Sequence, residues 1–130
     1  MRQPDCVFCE RVRAGSLVAE TLLAAAFPDA FPLNPGHILI VSRRHEPDFF
    51  SLTTEERRAI WELVESVRVH IEAHYAPQGY NLGINVGSAA GQTVGHAHLH
   101  VIPRYDGDVG DPRGGIRWLL PARARYWGDL

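Results

Sequence analysis

The sequence predicts a mixed fold in which about five short strands accompany one long and one short helix, and three observations predict it. A length of 130 residues is that of a single compact domain. Ile60, Val64, Val67 and Ile71 recur at spacings of 4, 3 and 4 behind a capping sequence, which is one face of a helix. Two further runs, HILIVS at 37–42 and HAHLHVI at 96–102, have the β-branched content and the alternation of strands.

Taken in order, Cys9 to Ala14 predicts a short helix stopped by Gly15, and the apolar stretch from Leu17 to Phe27, interrupted at Glu20 and Thr21, predicts two short strands. FPDAFPLNPG, residues 27–36, carries three prolines, an Asn and a Gly, which is loop chemistry. Residues 37–42 follow as a buried strand. Thr53 can cap the next backbone turn while Glu56 closes a capping box, so a helix starts there and ends before Pro77 and Gly79. Tyr80 to Val86 and His96 to Pro103 read as two more strands, joined by GSAAGQTVG, whose three glycines suit backbone that approaches something closely. The domain spans 1–130, with a core over about 6–104 and an irregular tail, 105–130.

Apolar residues make up 45% and charged residues 22%, the composition of a globular chain rather than a disordered one. Thirteen basic against fifteen acidic residues leave a net charge of -2, which excludes a polycationic binder of nucleic-acid polymers or of membrane surfaces. The opening MRQPDCVF lacks a basic stretch followed by an apolar core, and no apolar run approaches ~20 residues, so the expected compartment is the cytoplasm and no membrane partner is expected.

Seven histidines are the unusual count. His96, His98 and His100 alternate with Ala97, Leu99 and Val101, so in a strand the three imidazoles share one face, about 6.8 Å apart, and the apolar residues face the core. Imidazole binds metals, moves protons near neutral pH and attacks phosphorus. The spacing alone does not choose among these.

GQTVGHAHLHVIPR, residues 91–104, resembles the signature of the histidine triad (HIT) superfamily, His-x-His-x-His preceded by a Gly-Gln-Ser/Thr turn. PGHILIV resembles that family's strand carrying a fourth active-site histidine, and CVFC the N-terminal segment of its bacterial, zinc-containing members. The resemblance implies an α+β fold with an antiparallel sheet of about five strands, and a homodimer. It implies an enzyme acting at the α-phosphate of a nucleoside phosphate (a phosphoramidate, an acyl-adenylate or a dinucleoside polyphosphate) through a nucleotidyl-histidine, releasing a nucleoside monophosphate.

Carried over by position, His98 is the nucleophile, and a carbonyl accepting from one ring N–H would leave the other nitrogen as the attacking lone pair. His100 and His37 contact phosphate oxygens or assist the leaving group, Gln92 and Asn85 donate further hydrogen bonds, and the amides around Thr93 and Val94 line an oxyanion-type site. Asp29, eight residues before His37, matches the ribose-binding aspartate, and Phe8 and Phe27 match the base pocket. No cofactor is required for the chemistry.

Cys6 and Cys9 are the only cysteines. A redox dithiol normally opens a helix after a strand, and only five residues precede Cys6, so a structural zinc site fits better; His45 is an available imidazole. In the bacterial members that the chain resembles, the set is completed by that histidine and by the first triad histidine, here His96. His70 and His74, at i and i+4 on the long helix, are read as surface residues. Trp118, Leu119, Leu120 and Trp127 are large apolar residues in the tail and are expected to lie on a partner subunit. The alternatives are a metal-dependent hydrolase built on the same strand, against which the lack of an evident carboxylate near the motif counts, and a catalytically weak nucleotide-binding module.

Overall fold

The computed structural model describes residues 3–128, so both ends of the expected 1–130 span lie outside the described residues. Helix α1 is Val7–Ala14 and α2 is Thr54–His74. The strands are β1 Ala19–Glu20, β2 Ala24–Pro28, β3 Ile38–Ser42, β4 Gly79–Ile84 and β5 His98–Arg104. They form one five-stranded antiparallel sheet in the order β1-β2-β3-β5-β4. The α+β class and the strand number are those expected.

Both faces of the sheet are covered. Ala24, Ala26, Ile38, Ile40, Leu99 and Val101 pack against Ile60, Leu63, Val67 and Ile71 of α2. The intervening residues Ala25, Phe27, Leu39 and Val41 meet Cys6, Phe8 and Cys9 of the α1 segment. Burial on two faces is why β2 and β3 read as continuous apolar runs rather than alternating ones.

Helix α2 begins as its sequence dictates. Thr53 Oγ1 accepts from the Glu56 amide at 3.1 Å and Glu56 Oε1 accepts from the Thr53 amide at 2.9 Å. Glu56 also takes a two-pronged hydrogen bond from Arg44 at 2.9 Å and 2.9 Å, which fastens the helix start to the end of β3. Those bonds hold the Glu56 carboxyl down at about 2 against the opposing effect of burial.

Three details differ from expectation. Helix α1 starts two residues earlier than Cys9, because the Cys6 thiol accepts the Cys9 amide at 3.4 Å and serves as the cap. Strand β5 starts at His98 rather than His96, because the Ala97 amide donates to the Glu46 carbonyl at 2.7 Å instead of to a neighbouring strand. The tail is not wholly irregular: short 3-10 helices form at Gly115–Leu119 and Pro121–Arg123. Arg117 Nε bonds the Ala124 carbonyl at 2.8 Å and Trp118 Nε1 the Arg113 carbonyl at 2.7 Å. Leu119 and Leu120 stay 75% and 60% exposed. Among the described residues no helix is long and apolar enough to cross a membrane.

Candidate active site and metal cluster

Strand β5 turns Leu99 and Val101 toward α2 and the even-numbered histidines toward the opposite face. There His98 stands across from Val41 and His100 across from Leu39. His98 is 6% exposed, with the edge of its ring against Phe8 at a centroid distance of 4.9 Å. Its Nδ1 donates to the carbonyl of His96 at 2.8 Å, which places the lone pair of the neutral ring on Nε2.

A second fixed orientation starts in the proline-rich loop. The Leu33 amide donates to His37 Nδ1 at 3.0 Å, so the proton of the neutral His37 ring sits on Nε2. That nitrogen lies 3.0 Å from His100 Nδ1 and 3.5 Å from Asp29 Oδ2. His37 therefore donates to His100, whose own proton is left on Nε2. Burial lowers the pKa of His37, opposed by Asp29, and it lowers that of His98, opposed by the His96 carbonyl and by Asp29. Burial, reinforced by the neighbouring His98 and His37, brings His100 down to about 4. Neutral rings at pH 7 are what give the chain of donors its single direction. Asp29, His37 and His100 also converge closely enough to suggest metal ligands. An amide pointing into Nδ1 opposes this, because it demands a proton on the nitrogen that would bind the ion.

These groups border a cavity of about 680 Å³. Phe8, Phe27 and Leu39 make an apolar wall, while Asp29, His98 and His100 supply the polar groups. Asn85, just past the end of β4, and Thr93 and Val94 of the glycine-rich loop border it as well. His37 stands behind His100. Gln92 is directed elsewhere: its Oε1 accepts from the Gly87 amide at 2.8 Å and its Nε2 donates to the carbonyls of Pro47 at 2.8 Å and Val94 at 3.0 Å. It clamps the loop instead of presenting its amide to the cavity. Gly91 closes the short turn before it at φ 88°, a conformation costly for any residue with a Cβ.

The second cluster is linked to the first through His96, whose carbonyl holds His98 and whose ring meets the two thiols. Cys6 Sγ is 3.4 Å from His96 Nδ1, and Cys9 Sγ is 3.4 Å from His45 Nδ1 and 3.6 Å from His96 Nδ1. A tetrahedral zinc ion with Zn–S about 2.3 Å and Zn–N about 2.0 to 2.1 Å requires sulfur–nitrogen separations of about 3.5 Å, so these four side chains fit such an ion. His96 Nε2 donates to the Ser42 carbonyl at 2.7 Å, which leaves Nδ1 as the ligating nitrogen. The two thiols are free rather than joined. His70 and His74 lie outside both clusters, stacked on each other at 4.4 Å on the helix surface.

Three contributors carried no signal in the residue types: the Leu33 amide and the His96 and Ser42 carbonyls act through the backbone. Leu39 was legible only as core. Arg11, on the cavity wall, was hidden among the charges of a short helix.

The HIT domain family model matches residues 10–107. The chain is 36% identical over 109 residues to the bis(5'-nucleosyl)-tetraphosphatase [asymmetrical] of Schizosaccharomyces pombe, covering 83% of this chain and 60% of that one. Among solved structures it resembles a HIT family protein of Bacillus anthracis at a TM-score of 0.73 and 37% identity, covering 83% of this chain and 80% of that one. It also resembles a Zn-bound histidine triad family protein of Mycobacterium smegmatis at a TM-score of 0.71 and 30% identity, over 91% and 92% of the two chains. With His98 and His100 of β5 on one cavity, His37 bonded behind His100, and the matched span running through all three, the chain belongs to the HIT family.

Proposed function

We propose that the protein is a nucleotide hydrolase or transferase that acts at the α-phosphate of a nucleoside phosphate through a nucleotidyl-histidine on His98, releasing a nucleoside monophosphate. One observation carries this: His98 lines the cavity with its Nδ1 proton held by a backbone carbonyl, which leaves Nε2 with the lone pair. Relatives whose names describe hydrolysis of dinucleoside polyphosphates support the reaction class.

In the first half-reaction the Nε2 lone pair forms a bond to the α-phosphorus while the bond from phosphorus to the leaving group breaks, and the leaving group takes up a proton from solvent, which the attacking water of the second half-reaction returns. His100 donates its Nε2 proton as a hydrogen bond to a phosphate oxygen, and Thr93 and Val94 line the same region. Water then attacks phosphorus, the P–N bond breaks, and His98 is restored. Asp29 accepts from the ribose hydroxyls and Phe8 and Phe27 enclose the base, with Asn85 at the cavity edge. Gln92 contributes by holding the loop.

The reading includes one structural zinc on Cys6, Cys9, His45 and His96, a homodimer joined through the tail, and a reducing compartment, the cytoplasm. When bound, the ion would supply cross-linking of the N-terminal segment to β5 rather than chemistry at phosphorus.

A panel of adenosine phosphoramidates, acyl-adenylates and dinucleoside polyphosphates, assayed for monophosphate release, tests the reaction. His98→Ala is expected to abolish turnover with little loss of stability, and mass spectrometry of a quenched wild-type reaction is expected to show a nucleotidyl adduct on His98. Turnover at the wild-type rate in the variant would overturn the mechanism.

A further inference from the structure

The second turn of α1 brings Arg11 into the cavity wall, a position that the reaction outlined above leaves unused. Its guanidinium carbon stands 4.6 Å from the centroid of the Phe27 ring, and Nη1 donates to the Pro28 carbonyl at 3.3 Å. Ring contacts run from His98 to Phe8 at 4.9 Å, from Phe8 to Phe27 at 5.5 Å, and from Phe27 to the guanidinium. Two aromatic rings, Phe8 and Phe27, thus stand in the series of contacts between the nucleophile and Arg11. Pro28 precedes Asp29, so the tether also places the guanidinium next to the ribose position. With phosphate at one end and ribose between, the group that meets Arg11 is the base.

We propose that Arg11 reads the base and that the pocket takes 6-oxopurine nucleotides, of the guanine class, in preference to adenine nucleotides; this rests on the nucleotide reading given above. A guanidinium carries five N–H donors in one plane and no acceptor. Lying over Phe27 and tethered at Pro28, that plane has a set direction, and the tether occupies one donor. Guanine offers O6 and N7 side by side, two acceptors that match two parallel donors. Adenine offers N7 beside an amino group, which sets donor against donor. Pyrimidines have no N7 and so lack the O6/N7 pair. A cavity of about 680 Å³ has the size of a small-molecule pocket and accommodates the larger ring system.

The test is equilibrium binding of four monophosphates, GMP, IMP, AMP and 7-deaza-GMP, to the full, zinc-replete protein. IMP keeps O6 and N7 and lacks the 2-amino group, whereas 7-deaza-GMP lacks N7. GMP and IMP are expected to bind about tenfold more tightly than AMP and 7-deaza-GMP, the discrimination of one two-pronged contact at the lower end of its range. Arg11→Ile should bring all four within about twofold of one another. Arg11→Lys, which keeps the charge and lacks the fork, should lose most of the preference. AMP binding as well as GMP, IMP binding as weakly as AMP, or a preference that survives Arg11→Ile would each overturn the inference, the first two without any variant that must fold. Failure of all four to bind would remove the nucleotide reading, and this inference with it.

Discussion

The Nε2 proton of His37 is donated to Nδ1 of His100 across 3.0 Å, and its direction is set by the Leu33 amide on the far side of the His37 ring. His100 consequently offers a donor and not a lone pair to whatever occupies the cavity. Burial holds its pKa at about 4, so this polarity persists wherever the pH exceeds that value.

Nitrogen-15 spectra of the histidines check this arrangement. His100 is expected to be the Nε2–H tautomer throughout pH 5.5 to 8, because a lowered pKa keeps the neutral ring dominant down to about 4. In His37→Phe the proton should distribute between both nitrogens, with turnover reduced by about tenfold to a hundredfold, less than the loss of a direct oxyanion donor. A His100 spectrum unchanged by that substitution would show that His37 does not orient it.

Freshly reduced protein should contain one zinc per chain, and a Cys6→Ser, Cys9→Ser double variant none. Since α1 carries both Cys9 and Phe8, metal loss should also weaken nucleotide binding severalfold without removing His98 from its carbonyl partner. Elemental analysis and thermal unfolding decide the point: equal zinc in both proteins, or zinc in neither with full stability, would mean that the four side chains are not a site.

Glu56→Gln should cost about 2 kcal/mol near pH 7, the contribution of a charge-assisted contact moderated by the 40% exposure of the Arg44 side chain. The sign with pH follows from the depressed carboxyl. Its stabilisation is fully present above the ordinary value of 4.5 and is lost as the pH falls through about 2. Urea unfolding should therefore show the gap between wild type and variant narrowing by about half at roughly pH 3. A gap constant from pH 7 to 3 would place the effect elsewhere than in the charge of Glu56.

If the tail forms the proposed homodimer, a double substitution, Leu119→Asp with Leu120→Asp, should yield monomer in sedimentation velocity while leaving the far-ultraviolet dichroism intact. The two leucines are exposed at 75% and 60%, beside a self-bonded tail whose Trp127 Nε1 is buried without a hydrogen-bond partner. Such a surface is stabilised by being covered. An unchanged dimer would remove the tail from the interface.

How far the sequence could be read depended on whether side chains or backbone did the work. Helix α2 was legible because Thr53 and Glu56 write their cap in residue types, and the apolar spacing of Ile60, Val67 and Ile71 names the buried face. His98 and His100 were legible because a strand's period of two needs no tertiary information. The start of α1 was not, because a thiol is an unusual cap, nor was the orientation of Gln92, whose amide suits a loop carbonyl and a phosphate equally well. The tail's short helices escaped notice because they are held by Arg117 bonds to the carbonyls of Ala124 and Arg123, pairings that no periodicity announces.

The first half of strand β5 divides its residues by parity: Leu99 and Val101 into the packing under α2, His98 and His100 into the cavity. Point substitutions can therefore alter solidity and reactivity separately, Leu99 for one and His98 for the other. Insertion or deletion of a single residue between Ala97 and Val101 has no such freedom, since it would send imidazoles into the apolar layer and aliphatic groups to the nucleotide in one step. Change in this strand is confined to exchange in place, and length variation among descendants of this chain should collect outside it, in the loop before His96 and in the segment after Arg104.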